Sequence, residues 1–205
     1  MKRIYIMFIG ILITFNVFAT QFIEGKHYIT LSKPLLNQPQ VVEFFSFFCK
    51  YCYKLENQLS DYPAPKKIKI SKYHIDYMGK DSVITHAWAI AIALGVEDKV
   101  MKPIFNSTKQ MQDLTNTDIV KNIFLKTLNI SSEEYEALWN SYTVKILIDK
   151  QKKASEDFNI LNIPVTFVKG KYMININELE IEKNKNNSYV IKNYFDIIEF
   201  LINKK

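Results

Sequence analysis

The segment QVVEFFSFFCKYCYKLENQL, residues 40–59, decides the fold. Its first part, residues 40–45, is an apolar run of β-branched and aromatic residues, which predicts a buried strand. A C-x-x-C motif of Cys49 and Cys52 follows. Residues 53–59 then have the apolar spacing of a helix, and the prolines that come after them favour its end. The two cysteines are therefore expected at the start of a helix that follows a buried strand.

A second strand is predicted downstream of this helix. Residues 68–75, IKISKYHI, alternate between apolar and polar side chains with a period of two. Strand, helix and strand together predict a β-α-β unit with the cysteines at the start of its helix.

The middle of the chain is predicted to be helical. Residues 87–94 have the pattern of a buried helix, and no strand pattern occurs between residues 82 and 157. Two possible capping boxes mark further helix starts: Thr115 with Asp118, and Ser131 with Glu134, the second before a long helix running towards Phe158. This region is expected to be a helical module inserted into an α/β domain.

The sheet is expected to resume after the helical module. Residues 164–168 predict a strand, residues 169–171 a tight turn, and residues 172–176 its hairpin partner. From Ser188 onwards the spacing predicts a final amphipathic helix with one apolar face.

The N-terminus has the layout of a signal peptide, predicted at residues 1–19. Lys2 and Arg3 precede an apolar run, and cleavage is expected after Ala19. The run is shorter than the ~20 residues that span a bilayer, although an uncleaved anchor remains an alternative. We therefore expect export to the periplasm.

The composition is that of a folded domain. Of the 205 residues 48% are apolar, and the formal net charge is +6. Lysines are interspersed with acids, which is typical of a solvated surface and argues against nucleic-acid binding.

The cysteine count favours redox chemistry. Cys49 and Cys52 are the two cysteines of the chain, and a disulfide closing so short a loop adds little stability. A zinc site needs about four ligands and covalent haem needs His after the second Cys, where Tyr53 stands. Two inert buried cysteines remain an alternative. No metal and no cofactor are expected.

A helix start suits the first cysteine to attack disulfides. Only the thiolate is nucleophilic, and unpaired backbone N–H groups together with the helix dipole favour the anion there. Cys52, one turn further on, is placed to attack the mixed disulfide formed at Cys49.

The sequence resembles the DsbA family of periplasmic dithiol oxidases over nearly all of the chain that follows the predicted signal peptide. The similarity lies in the segment around Cys49 and Cys52 and in several further segments: residues 41–49, 52–53, 72–74, 87–89, 93–100, 139–141, 163–164 and 167–172. The resemblance implies a thioredoxin-like α/β fold with an inserted all-helical domain. The expected boundaries are residues 20–78 and 158–205 for the thioredoxin-like domain and residues 79–157 for the insert.

The resemblance also implies partners and site residues. Reduced, unfolded exported proteins would be the substrates of a monomeric oxidase, and a DsbB-like membrane quinone reductase would reoxidise it. Pro164 would be a cis-proline facing the disulfide, with the Ile163 backbone pairing with substrate; a trans-proline opening a strand is the alternative. Glu43 and Lys72 would form a buried charged pair that carries the proton of Cys52. The alternative is a surface-facing Glu43 beside an edge Lys72.

The spacer between the cysteines departs from the family pattern. Lys50 and Tyr51 stand where the family usually has Pro-His, whose His stabilises the thiolate. Tyr51 can donate one hydrogen bond but carries no charge, so the pair is expected to tune the thiolate differently.

Two other functions therefore stay open: a periplasmic reductase or isomerase, and a redox-inactive, chaperone-like peptide binder. The family's isomerases carry an N-terminal dimerisation domain, and the short segment before Val41 favours the oxidase.

Overall fold

The computed structural model describes residues 22–62, 65, 67–76, 82–180 and 187–205. The predicted signal peptide, with its cleavage site after Ala19, lies outside these residues. Across the described ranges, no helix is long and apolar enough to span a bilayer.

A five-stranded mixed sheet forms the centre of the molecule, in the order β1-β5-β4-β2-β3. Strands β2 and β3 are parallel, and the other neighbouring pairs are antiparallel. The strands are β1 (Tyr28–Thr30), β2 (Val41–Phe45), β3 (Ser71–His74), β4 (Val165–Val168) and β5 (Tyr172–Ile174).

The predicted β-α-β unit is confirmed. Helix α1 (Lys50–Ser60) connects the parallel strands β2 and β3. All five residues of β2 are buried, as expected for a strand that is covered on both faces.

Two strand predictions need correction. Strand β3 begins at Ser71 rather than at Ile68, because Ile68 and Ile70 pack against apolar side chains of the C-terminal helix and do not pair with β2. Strand β1 was not predicted from the sequence. It has three residues, too few for a periodic pattern, and pairs with β5 at the edge of the sheet.

Helices α2–α6 occupy the chain between β3 and β4, as the absence of a strand pattern predicts. A shared apolar core links these helices to Phe45 and Phe47 at the end of β2, so the helical region packs directly behind the cysteine motif. The division into domains at the predicted boundaries stays a prediction. The helices are α2 (Ser82–Leu94), α3 (Glu97–Lys109), α4 (Thr117–Leu128), α5 (Ser132–Trp139) and α6 (Tyr142–Asp157).

The capping residues are partly as predicted. Ser131 and Glu134 form the capping box of α5. Asn116, and not Thr115, caps α4, because the Asn116 side chain accepts the N–H groups of the first turn. The predicted long helix towards Phe158 is two helices, since the Ser141 hydroxyl caps a new helix start by accepting from the Val144 N–H.

The C-terminal part returns to the sheet. Strands β4 and β5 form the predicted hairpin, and a short helix α7 (Ile176–Glu180) follows. Helix α8 (Asn187–Asn203) lays an apolar face on the sheet, with Tyr194, Ile197, Ile198 and Leu201 buried.

Candidate active site

Cys49 occupies the N-cap position of α1. Its backbone is extended, and its Sγ accepts a hydrogen bond from the Cys52 N–H over 3.2 Å. The first N–H groups of a helix have no partner within the helix. In this chain a sulfur atom accepts from one of them.

The two thiols have opposite pKa shifts. The pKa of Cys49 is lowered to about 6, first by the hydrogen bond with the Cys52 thiol and then by the backbone N–H groups of Cys52 and Tyr51, while burial acts in the opposite direction. Burial raises the pKa of Cys52, and the hydrogen bond to Cys49 adds to the effect. Cys49 is therefore a thiolate near neutral pH while Cys52 keeps its proton.

Accessibility follows the same order. Both thiols are free; Cys49 is partly exposed and Cys52 is buried. A disulfide or thiol of another molecule therefore reaches Cys49 first.

The loop before β4 faces Cys49. The Ile163–Pro164 peptide bond is cis, as predicted, and the carbonyl oxygen of Ile163 lies 3.7 Å from the Cys49 Sγ. The pairing of Ile163 with substrate stays a prediction.

The side chains of the spacer lie at the surface. Lys50 is exposed, and the Tyr51 side chain is 72% exposed. Tyr51 acts on the pKa of Cys49 through its backbone N–H, and tuning of the thiolate by the side chains of Lys50 and Tyr51 stays a prediction.

Glu43 is a buried carboxyl in the middle of β2, with 3% of its surface exposed. It is the register partner of Lys72 on β3. Burial raises the pKa of Glu43, and the positive charge of Lys72 opposes this shift. The two predicted charges are therefore close enough to interact.

The direct partners of these charges differ from the prediction. Lys72 forms its ion pair with Glu56 on α1, and Glu43 accepts a hydrogen bond from the Tyr194 hydroxyl over 3.1 Å. The predicted pair is a larger network because α1 and α8 both reach this face of the sheet.

Sequence reasoning missed Glu56, Tyr194 and Thr166. The Thr166 hydroxyl lies 2.8 Å from the Tyr194 hydroxyl. The position of Glu56, four residues after Cys52 on the same helix, is a signal that could have found it. Tyr194 lies 151 positions from Glu43, so no local pattern connects the two residues.

His74 is hydrogen-bonded to the backbone of the segment that precedes Cys49. Its Nε2 accepts the Phe47 N–H over 3.2 Å, so Nδ1 carries the proton and donates to Thr85. Burial lowers the pKa of His74 to about 3, and the ring is neutral. In the part of the chain that the structure describes, no group of three or more His, Cys, Asp or Glu side chains could hold a metal ion.

A groove with a volume of about 690 Å³ runs beside the cysteine motif. Tyr51 on α1, Ile163 and Pro164 before β4, and residues 175–177 after β5 line different sides of it. The exposed apolar side chains of Tyr51 and Leu161 face this region. The groove can hold an extended segment next to the nucleophilic sulfur.

Known proteins are similar to this chain in sequence and fold. A family model described as a DSBA-like thioredoxin domain matches residues 40–180. The chain is 39% identical over 212 residues to the thiol:disulfide interchange protein DsbA of Escherichia coli strain K12, with 100% of both chains covered.

Solved structures agree. A Proteus mirabilis DsbA variant in complex with the non-covalently bound peptide PWATCDS is 34% identical, has a TM-score of 0.78, and matches 90% of this chain and 100% of its own. The DsbA of Klebsiella pneumoniae is 29% identical with a TM-score of 0.79, over 91% of this chain and 100% of its own.

These similarities confirm the thioredoxin-like α/β fold with its inserted helices. The similarity to the E. coli protein extends over the full chain, and the C-x-x-C motif lies within the matched domain. The chain therefore belongs to the DsbA family of thiol:disulfide oxidoreductases.

Proposed function

We propose that this oxidoreductase works as a periplasmic dithiol oxidase, with Cys49 as its nucleophile and Cys52 as its resolving cysteine. Its substrates are reduced, unfolded exported proteins, into which it introduces disulfide bonds. Reoxidation by a DsbB-like membrane quinone reductase completes the cycle, and the protein acts as a monomer.

The low pKa of the Cys49 thiol carries this proposal. The Cys52 thiol and the backbone N–H groups at the start of α1 stabilise the thiolate, which exists only in the reduced protein. Stabilising the reduced form makes the disulfide a better oxidant, because it makes reduction of the Cys49–Cys52 disulfide more favourable.

The reaction balances as two thiol–disulfide exchanges. A substrate thiolate attacks the Cys49 sulfur of the Cys49–Cys52 disulfide; the S–S bond breaks, and Cys52 leaves with the electron pair and takes up a proton. A second substrate thiolate then attacks the substrate sulfur of the mixed disulfide and expels Cys49 as its stabilised thiolate. The substrate loses two electrons and gains one disulfide.

Glu43 is proposed to exchange the proton of Cys52. Its negative charge acts on the pKa of Cys52, and its own pKa is raised by burial, so it can hold a proton at a higher pH than an exposed carboxyl. Lys72 is proposed to tune this carboxyl together with Glu56.

The groove beside Pro164 is proposed to bind the substrate segment that flanks the reacting cysteine. Its position next to Cys49 supports this role. A DsbA structure with a non-covalently bound peptide supports peptide binding by this fold. Extended backbone on the substrate would pair with the Ile163 backbone.

The test is oxidation of a reduced, unfolded model protein by stoichiometric oxidised enzyme. We expect one substrate disulfide for each Cys49–Cys52 disulfide consumed, and an equilibrium with glutathione that lies towards the reduced enzyme. An equilibrium like that of cytosolic reductants would instead support the reductase or isomerase alternative.

A double variant separates catalysis from binding. Cys49→Ala with Cys52→Ala should abolish oxidation while the groove still binds a cysteine-free peptide. Full function in the double variant would support a redox-inactive peptide binder.

A further inference from the structure

Three polar side chains form a row across the centre of the sheet. Glu43 on β2 is the register partner of Lys72 on β3 and of Thr166 on β4. Residues opposite one another on neighbouring strands point to the same face. A lysine therefore lies on one side of the buried carboxyl and a threonine on the other.

Tyr194 completes the row from helix α8. Its hydroxyl lies 3.1 Å from Glu43 Oε2 and 2.8 Å from the Thr166 Oγ1. Thr166 is fully buried, and Tyr194 is 1% exposed. These hydroxyls thus form a continuous hydrogen-bonded chain that ends on the carboxyl.

We propose that the Thr166–Tyr194 hydroxyl pair positions Glu43 and keeps it hydrogen-bonded in both its charged and its neutral form. This inference rests on the proposed role of Glu43 in exchanging the proton of Cys52.

The two hydrogen bonds that link Thr166, Tyr194 and Glu43 can be donated in either direction. When Glu43 is a carboxylate, Tyr194 donates to it and Thr166 donates to Tyr194. When Glu43 is protonated, its O–H donates to Tyr194, and Tyr194 donates to Thr166. A hydroxyl both donates and accepts, so after the two hydrogen bonds reverse, Glu43 Oε2, the Tyr194 hydroxyl and the Thr166 hydroxyl each still take part in a hydrogen bond within the row.

Lys72, on the other side of Glu43, cannot reverse a hydrogen bond in this way. An ammonium group only donates, so Lys72 favours the carboxylate through its positive charge and offers no acceptor for the O–H of the neutral acid. A proton carrier has to be stable in both forms, because Glu43 gains the proton when the Cys52 thiol becomes a thiolate and returns it when Cys52 is expelled. A buried polar group without a partner is costly, and the hydroxyl pair removes that cost from both directions.

The test is to measure the pKa of Glu43 in the reduced protein without substrate, by NMR titration of carbon-13-labelled glutamate side chains. Glu43→Gln assigns the resonance. The titratable groups that face Glu43 are Cys52, Lys72, Glu56 and Tyr194.

The two hydroxyl variants should move the pKa of Glu43 in opposite directions. Tyr194→Phe removes one hydrogen bond from each form of Glu43, and because the bond to the charged carboxylate is the stronger one, the pKa of Glu43 should rise by about one. Thr166→Val leaves the Tyr194 donor in place but removes the acceptor for the Tyr194 O–H when Glu43 is neutral, and should lower the pKa by about half to one. Thr166→Ser keeps a hydroxyl and should restore the original value.

Tyr135→Phe is the matched control. Tyr135 is a buried tyrosine in helix α5 that packs against Phe124 of α4, and its hydroxyl has no hydrogen-bond partner within the described residues. It should leave the Glu43 pKa unchanged. If Tyr194→Phe does not fold, the Thr166 variants still test the proposal. The lower Glu43 pKa expected in Thr166→Val, and its return in Thr166→Ser, do not depend on the Tyr194 variant.

A second readout links the network to Cys52. The pH profile of glutathione release from a mixed disulfide at Cys49 should shift in the same direction as the Glu43 pKa in each variant. Shifts of equal sign in Tyr194→Phe and Thr166→Val, or no shift in Thr166→Val, would overturn the proposal. The NMR titration needs no oxidase activity, so this failure is distinct from a failure of the wild-type protein to oxidise a model substrate.

Discussion

The N–H of Cys52 donates to the Sγ of Cys49 over 3.2 Å. The residue that must hold its own thiol proton thus supplies a donor to the thiolate beside it. Since Cys52 is buried and Cys49 is partly exposed, one turn of helix separates a reactive sulfur from a protected one. Hydrogen bonds from the Cys52 thiol and then from its N–H lower the pKa of Cys49, while burial raises the pKa of Cys52.

Alkylation should follow the same order. In reduced protein treated briefly with iodoacetamide, Cys49 should react first, and its rate should rise with pH around a midpoint of about 6. Cys52 should react slowly across this range, because burial raises its pKa and limits access. Peptide mapping by mass spectrometry identifies the labelled residue.

The unfolded protein provides the control for alkylation. In guanidinium chloride both thiols should titrate near the reference value of about 8.5. Preferential labelling of Cys52 in the folded protein would contradict the assignment of the nucleophile.

The stability of the reduced protein should depend on pH through Cys49. The folded pKa of Cys49, about 6, lies below its unfolded value. A lowered folded pKa adds stability that is complete above the unfolded pKa and is lost as the pH falls through the folded one. The free energy of unfolding of reduced protein, relative to Cys49→Ser, should therefore fall as the pH is lowered from about 8 to about 5.

The pH window isolates this effect. Below about pH 8 Cys52 is protonated in both the folded and the unfolded state, so it contributes little to the pH slope. Denaturant unfolding of reduced wild type and reduced Cys49→Ser at several pH values makes the measurement. Parallel pH dependences for the two proteins would show that the Cys49 thiolate is not stabilised by the fold.

Removing the charge of Lys72 should lower the free energy of unfolding. Lys72→Met leaves Glu56 without its ion pair and Glu43 without the charge that opposes the rise in its pKa. Removing one partner of a buried pair costs about 3–5 kcal/mol, and because this pair keeps some exposure we expect a loss of about 2 kcal/mol.

Lys153→Met is the matched control for this change. Lys153 forms an ion pair with Asp157 one helical turn away, and its side chain is 74% exposed. Such pairs contribute about 0.3–0.5 kcal/mol. Equal losses of stability in the two variants, measured by urea unfolding, would show that the Lys72 network adds nothing beyond a surface pair.

A glycine fixes the turn of the hairpin that carries Pro164. Gly170 has a φ of +61°, and a Cβ there would lie 2.0 Å from the carbonyl oxygen of Leu35. Gly170→Ala should therefore cost about 2–5 kcal/mol, from the left-handed backbone together with the forced displacement of Leu35. Gly95→Ala is the control, because Gly95 has a φ of +64° and open space around it; it should cost about 1–2 kcal/mol. Similar melting temperatures for the two variants would contradict the close approach to Leu35.

The catalytic motif could be predicted from sequence because its signals are local. Strand β2, the cysteines and helix α1 follow one another within residues 41–60, and each has its own apolar pattern. The capping box of Ser131 and Glu134 is equally local. Two adjacent residues could cap α4, and Asn116, which is the stronger N-cap residue type, takes this position rather than Thr115.

The network around Glu43 is a product of the tertiary fold. Lys72 lies on the strand beside Glu43, as expected, but its ion pair is with Glu56 on α1. Tyr194 comes from a helix at the other end of the chain. The orientation of α1 and α8 on the sheet decides these contacts, and no sequence period encodes that orientation.

The spacer between the cysteines departs from the family pattern, and it should control the strength of the oxidant. The groups that lower the pKa of Cys49 are the Cys52 thiol and the backbone N–H groups of Cys52 and Tyr51, while the phenol of Tyr51 is largely in solvent. Tyr51→Phe should therefore leave the pKa of Cys49 unchanged.

Tyr51→His should have a different effect, because a protonated imidazole adds a positive charge near the thiolate. One hydrogen bond to a charged group contributes roughly 1.5–3 kcal/mol, which lowers a pKa by about one to two. The added stabilisation acts only on reduced protein, so the reduction potential should rise together with the fall in pKa. Thiolate absorbance gives the pKa, and equilibration with glutathione gives the potential, with Tyr51→Phe measured alongside. If both quantities stay at their wild-type values in Tyr51→His, the spacer does not control the thiolate, and the Ile163 carbonyl, 3.7 Å from the Cys49 Sγ, becomes the next position to vary.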